Sequence, residues 1–286
     1  TISPDYDDII SNVLELLKVF SPKTSKTNLI FDVDKKIKKI GSRISADNSE
    51  IEIAHSLSKA FDYIDNANLN IKTPLSQIYK HNSVDLNCKR HFAIFKTENI
   101  IPKFCFGCFK VQVNVVNFHS LIKLTALFYE LNLGHDVTTK TLVELRPDIP
   151  GFYKGLIYCR GLEQAKQVKK TLDIALKTTL KNDASSVIKR GCSEYPMVFP
   201  KYGEIQNETN IVMDYPVKWE DIEQRFDNEN VFEPIEMELP SNPNFCLGDF
   251  YIIQKWIDYA KGLSDVDAES FASLDIVYPE IYNAAR

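Results

Sequence analysis

Between residues 109 and 193 the hydrophobic period of the chain switches repeatedly between two and about 3.6, and this succession limits its folds more than any other feature. Residues 109–116 (FKVQVNVV) alternate apolar and polar side chains, the pattern of a strand with two unlike faces. Residues 119–131 (HSLIKLTALFYEL) place apolar side chains at helical spacing. Two β-prone runs follow: 141–145 (TLVEL), closed by Arg146-Pro147, and 152–159 (FYKGLIYC). Residues 162–180 read as a long amphipathic helix with Leu162, Ala165, Val168, Leu172, Ala175 and Leu176 on one face. Residues 187–193 (VIKRGCS) supply a last strand.

Strand, helix, strand, strand, helix, strand is the order of the split βαβ, or ferredoxin-like, arrangement. It implies an antiparallel sheet in the spatial order 4-1-3-2 with both helices on one face. The expected fold class is therefore α+β: a ferredoxin-like (βαββαβ) core over residues 89–203, a helical N-terminal region over 1–88, and an acidic, partly helical C-terminal extension over 204–286 packed on the core. In the N-terminal region Ser3 caps an expected helix over residues 3–20, with Pro4 in its first turn beside Asp5, Asp7 and Asp8. A short basic helix is expected over 35–43, a longer one over 48–65, and a turn or two of helix over 73–81. In the C-terminal part the expected helices cover 218–226 and 248–261, the second with Tyr251, Ile252, Trp256 and Tyr259 along one stripe.

Composition narrows the function classes. A chain of 286 residues can bury a sizeable core. It holds no run of ~18 apolar residues, so no membrane span is expected. Six cysteines in this length do not make a disulfide scaffold, and the expected compartment is the reducing cytoplasm, where thiols stay free or bind metal. The sequence contains no Gly-rich phosphate loop, no GxSxG, no GxGxxG and no HExxH, so no nucleotide-hydrolase or metalloprotease motif is present.

Charge is distributed unevenly. Residues 89–203 carry 18 basic and 9 acidic side chains, whereas 204–286 carry 5 and 18. Either the acidic part neutralises the basic middle, or the middle attracts an anionic partner.

The stretch FCFGCFK holds Cys105 and Cys108 at CxxC spacing, with Gly107 easing the turn between them. In the 4-1-3-2 order the ends of the third and fourth strands lie beside the start of the first. Cys159 and Cys192 are thereby expected near the CxxC pair. Four thiolates suit a zinc ion or an iron–sulfur cluster, which makes Cys105, Cys108, Cys159 and Cys192 the candidate metal ligands, with His91 as a further donor. The competing reading is four buried thiols serving as small core residues. A thioredoxin-type pair is disfavoured, because here the CxxC runs into a strand and no helix N-terminus lowers a thiol pKa.

The other candidate is basic. Lys110, Gln112 and Asn114 face away from Val111, Val113 and Val115, and Lys154 and Arg190 are expected to share their face. Arg146, Arg160 and Lys189 lie near strand ends beside them. The candidate anion-binding set is therefore Lys110, Arg146, Lys154, Arg160, Lys189 and Arg190. The run Lys154-Gly155-Leu156-Ile157-Tyr158 is similar to the start of the octapeptide of RNA-recognition domains, a basic residue followed by Gly. That resemblance implies RNA on the sheet face, held by stacking aromatics. The sequence departs from it at Gln112 and Leu156, where aromatics would stand. Three function readings follow: a cysteine-held metal or iron–sulfur site in a protein that acts on an anionic ligand, a non-enzymatic module binding RNA or another anion, and an assembly protein that meets a protein partner through its N-terminal helices.

Overall fold

The computed structural model describes residues 25–69, 71, 73–80, 86–133, 137–147, 149–206, 210–232, 244–269 and 271. The helix expected over residues 3–20 lies outside them. The chain is mixed α and β, built around one five-stranded antiparallel sheet. Helices α1 (Ser25–Gly41) and α2 (Glu50–Ala67) come first, then strand β1 (Gln77–Lys80). Helices α3 (Cys88–Glu98) and α4 (Lys103–Phe106) lead into β2 (Cys108–Val115). Next come α5 (Phe118–Glu130), β3 (Thr138–Val143), β4 (Tyr153–Arg160), α6 (Leu162–Thr179) and β5 (Ala184–Arg190). Short helices α7 (Tyr195–Val198) and α8 (Pro200–Gly203) precede a small hairpin of β6 (Ile205–Gln206) and β7 (Asn210–Ile211). Helices α9 (Glu220–Glu229), α10 (Leu247–Gly262) and α11 (Val266–Glu269) follow.

The order across the large sheet is β1-β3-β4-β2-β5. The edge strand β1 stands where a turn of helix was expected. Four residues are too few to show a period, and its place is set by tertiary bonds. Trp256 of α10 donates from Nε1 to Ser76 O at 2.7 Å, and Lys255 Nζ donates to Leu75 O at 3.0 Å, which lays the segment against β3. The local caps agree with the sequence elsewhere. Ser49 and Glu52 form a reciprocal capping box at the start of α2, and Asn117 accepts from Ser120 N–H at 2.9 Å at the start of α5.

The main core lies on the sheet face that carries Val111, Val113, Ile157 and Ile188. Helix α5 reaches it with Leu124 and Phe128, and α6 with Leu172. Val33 and Ile37 of α1, Ile53 and Leu57 of α2, and Phe250, Ile253 and Trp256 of α10 join the same core. The N-terminal helices are thus built into the sheet layer, while Phe31 and Ile51 stay on their exposed sides. A smaller, aromatic core of Ile94, Ile101, Tyr195, Tyr202, Trp219 and Phe226 gathers α3, α7, α8 and α9 at the CxxC end of β2.

The contact between α5 and the sheet depends on Gly155. A Cβ there would come within 2.7 Å of Leu124 Cδ2 and Phe128 Cζ, both deep in the core. Replacing Gly155 by Ala is expected to cost about 1–3 kcal/mol, as overpacking in a filled core does. Urea denaturation measures it, and an unchanged midpoint would mean that the helix moves aside without cost.

Candidate anion site on the helix-free face

In an antiparallel pair, side chains directly opposite share a face. Val113 opposes Gly155 of β4 and Ser186 of β5, and Ser186 Oγ donates to Asp173 of α6. Both long helices therefore cover the Val111–Val113 side. The other side is built in three rows. Lys110 opposes Tyr158 and Lys189. Gln112 opposes Leu156, which opposes Lys140 of β3, and Lys140 opposes Tyr79 of β1. Asn114 opposes Lys154, which opposes Leu142.

This face, free of the two long helices α5 and α6, is largely closed to solvent, and Cys88 at the start of α3 acts on its Lys140 and Tyr158. Lys154 is 2% exposed and Lys110 4%. Lys110 Nζ donates to Ser193 Oγ at 3.2 Å. Lys154 Nζ is buried with no hydrogen-bond partner among the described residues. Lys140 donates to Gln77 Oε1 at 3.2 Å, and its ammonium lies 5.6 Å from each of the Tyr79 and Tyr158 ring centres. Gln112 Nε2 donates to Asn114 Oδ1 at 2.9 Å on the floor between the lysines.

The electrostatics of the face follow from this crowding. Burial, helped by the charges of Lys140 and Lys189, pushes Lys110 down to about 8. Burial also pushes Lys154 down to about 8; Glu144 opposes the shift, while Lys189, Arg146 and Lys110 add to it. Burial lowers Lys140 as well. Among the described residues the acidic groups nearby are Glu144 and Glu194, both drawn to Arg146 at the border of the face. Glu144 takes the Arg146 guanidinium in a two-pronged bond, Nε to Oε1 at 2.9 Å and Nη2 to Oε2 at 2.7 Å, and Glu194 stands 3.6 Å from Arg146 Nη1. The described carboxylates of α9 neutralise the other end of the basic region. Arg90 pairs with Asp227 at 2.6 Å and with Glu223 at 3.2 Å, and Lys103 pairs with Glu220 at 2.8 Å.

Of the six basic residues singled out from the sequence, Lys110 and Lys154 lie buried on this face, Lys189 lies exposed on its β5 row, and Arg146 stands beside it after β3. Arg190 does not share the face, contrary to expectation. It opposes Phe109, so the pleat turns it to the helix side. Its guanidinium lies 4.7 Å from the Phe109 ring centre and 4.6 Å from that of Tyr202. It donates to Tyr202 O at 2.9 Å and Phe106 O at 2.6 Å, which ties the two cores together. Arg160 opposes Cys108 at the far strand end and is exposed. Lys140 was missed, because the expected strand began at residue 141 and β3 begins at Thr138. Alternation carried three residues further back along TTKTLV would have found it.

The four cysteines reach one end of the sheet in different surroundings. Cys105 lies in α4 rather than in the strand, and its Sγ stands 3.6 Å from Tyr195 Oη within the aromatic core, where Cys192 also packs. Cys108 opens β2 on the helix-free side, against Gly191, where any Cβ would meet its Sγ at 2.4 Å. Cys159 opposes Phe109, so it points to the opposite face and into the main core, with its Sγ 3.7 Å from Ile157 O. Burial pushes the Cys105 and Cys159 thiols up to about 12 and Cys108 to about 11, and raises Cys192 as well. His91 is buried, its ring stacked on Phe104 at 4.9 Å. Among the described residues no group of three or more His, Cys, Asp or Glu side chains is placed to hold a metal ion. No described helix is long and apolar enough to cross a membrane.

No family model, curated protein or solved structure matches the chain.

Proposed function

We propose that the helix-free face of the sheet binds an anionic ligand through Lys110, Lys140 and Lys154, with Lys189 and Arg146 at its border. One observation carries this reading: the Lys154 ammonium is buried in a group of like charges, without a hydrogen-bond partner among the described residues. A buried unpaired charge costs several kcal/mol, and a bound anion removes that cost. The scaffold we read as a ferredoxin-like unit running from β2 to β5, with β1 added beside β3. The spatial order β3-β4-β2-β5 and the placement of α5 and α6 over one face support that reading.

Extended RNA on the same face has less support. Gln112 and Leu156 occupy its centre, and Lys140 already lies against the Tyr79 and Tyr158 rings on which bases would stack. A zinc ion or iron–sulfur cluster at Cys105, Cys108, Cys159 and Cys192 draws no support from this arrangement, in which the pleat separates Cys159 from Cys108.

Titration of the protein with inorganic phosphate, followed by thermal unfolding, tests the reading. Phosphate is expected to raise the midpoint, and Lys154→Gln and Lys110→Gln to remove that rise. Arg160→Gln, at the exposed strand end, should keep it. A midpoint that responds to phosphate equally in all three variants would place the anion elsewhere.

A further inference from the structure

The kind of anion can be read from which cations remain available. Resting on the anion-binding reading above, we propose that the ligand carries a diphosphate, lying along β2 over Gln112 with Lys110 at one end, Lys154 at the other and Lys140 alongside.

Two observations lead there. The first concerns charge. Among the described residues, Lys110, Lys140, Lys154, Lys189 and Arg146 act on one another across this face, and Glu144 and Glu194 are the carboxylates that act with them. Five cations against two carboxylates leave an excess that a single carboxylate ligand cannot balance. A phosphate monoester brings about −1.5 to −2 charges, and a second phosphoryl group brings more.

The second observation concerns shape. Planar carboxylates are recognised best by the guanidinium fork, and the fork at this face, Arg146, is already closed on Glu144. The groups left are ammonium ions. They act as compact point charges and suit a tetrahedral, highly charged oxyanion. Their spacing favours an elongated one. Lys110 and Lys154 stand on neighbouring strands, two side-chain rows apart, with the Gln112–Leu156–Lys140 row between them. Four residues of strand separate those outer rows by roughly 13 Å at the backbone. Two cations set at the ends of such a span suit two linked phosphoryl groups better than one. Sequence motifs gave no warning of such a site, because the phosphates would lie against strand lysines and not in a Gly-rich loop.

Isothermal titration of the full chain with inorganic pyrophosphate, inorganic phosphate, citrate and a twelve-residue single-stranded RNA lacking terminal phosphates separates the alternatives. Pyrophosphate is expected to bind about tenfold or more tighter than phosphate or citrate, since each charge-assisted contact contributes on the order of one tenfold step. Lys110→Gln and Lys154→Gln should each weaken pyrophosphate by about tenfold. Exposed Lys189→Gln, whose fold is at least risk, should weaken it by less. Citrate binding as tightly as pyrophosphate would overturn the diphosphate assignment while leaving the anion site standing. Tighter binding of the RNA, lost with salt, would overturn it in favour of a nucleic-acid face. Absence of binding by all four would remove the anion site itself.

Discussion

Replacing Lys154 by Met is expected to make the ligand-free protein more stable, by about 2 kcal/mol at pH 7. The side chain is almost wholly buried and its ammonium has no hydrogen-bond partner among the described residues, so the folded state carries a desolvated charge that the unfolded chain leaves in water. Met keeps most of the packing volume without the charge. The pH dependence gives a second reading of the same quantity. Burial sets the folded-state pKa of Lys154 at about 8, below its ordinary value of 10.5. Between those pH values the unfolded chain binds more protons than the folded one, so stability rises with pH across that window. Below about pH 8 both states are protonated and the full penalty remains. Lys110 contributes a rise over the same interval. Urea denaturation at pH 7 and pH 10 should therefore show wild type gaining stability on going alkaline, and Lys154→Met gaining less. A destabilised Lys154→Met with an unchanged pH slope would mean that the ammonium is already satisfied. The same deprotonation should weaken anion binding above pH 8.

Removing the Glu223 carboxylate should produce the opposite result, a loss of about 3 kcal/mol in Glu223→Ala. Glu223 is buried on α9 and accepts from Lys103 N–H at 2.7 Å, Tyr215 Oη–H at 2.8 Å and Arg90 Nη2 at 3.2 Å. Truncation strands the Lys103 backbone donor and the Tyr215 phenol at the edge of the aromatic core, while Arg90 keeps Asp227. Hydrogen bonds to charged groups contribute about 1.5–3 kcal/mol each, with part recovered by relaxation. Glu223→Gln should lose less, because an amide oxygen still accepts from Lys103. Denaturant midpoints for the two variants measure this. A loss under about 0.5 kcal/mol in Glu223→Ala would show that α9 sits on the surface without fixing α4.

These two residues show where the sequence could be read and where it could not. The alternation in residues 109–116 placed β2 to within a residue, and it put Lys110, Gln112 and Asn114 on one face. Helix α6 was legible for the same reason, a long uninterrupted apolar stripe. β1 was not legible, since its four residues depend on bonds from Lys255 and Trp256 far along the chain. Nor was α3: Asn87 before it adopts a left-handed conformation and its side chain makes no cap, so the usual start signal is missing. The four cysteines do not share one face of the sheet, for a narrower reason. Topology did bring the ends of β4 and β5 beside the start of β2. Which face each side chain takes, however, depends on register parity, and one residue decides it. Cys108 opposes Arg160 and Phe109 opposes Cys159, so two of the sulfurs lie on opposite sides of the sheet. The carboxylate of Glu223 was hidden among many acidic residues, and only its three donors single it out.

The same parity governs β5, where Lys189 and Arg190 are adjacent and point in opposite directions. Gaining a single residue in the tight connection at Lys181–Asp183 would slide Lys189 opposite Phe109, among the rings of Phe109 and Tyr202, and carry Arg190 onto the face of the ammonium groups. This connection should therefore tolerate changes of side chain far better than changes of length.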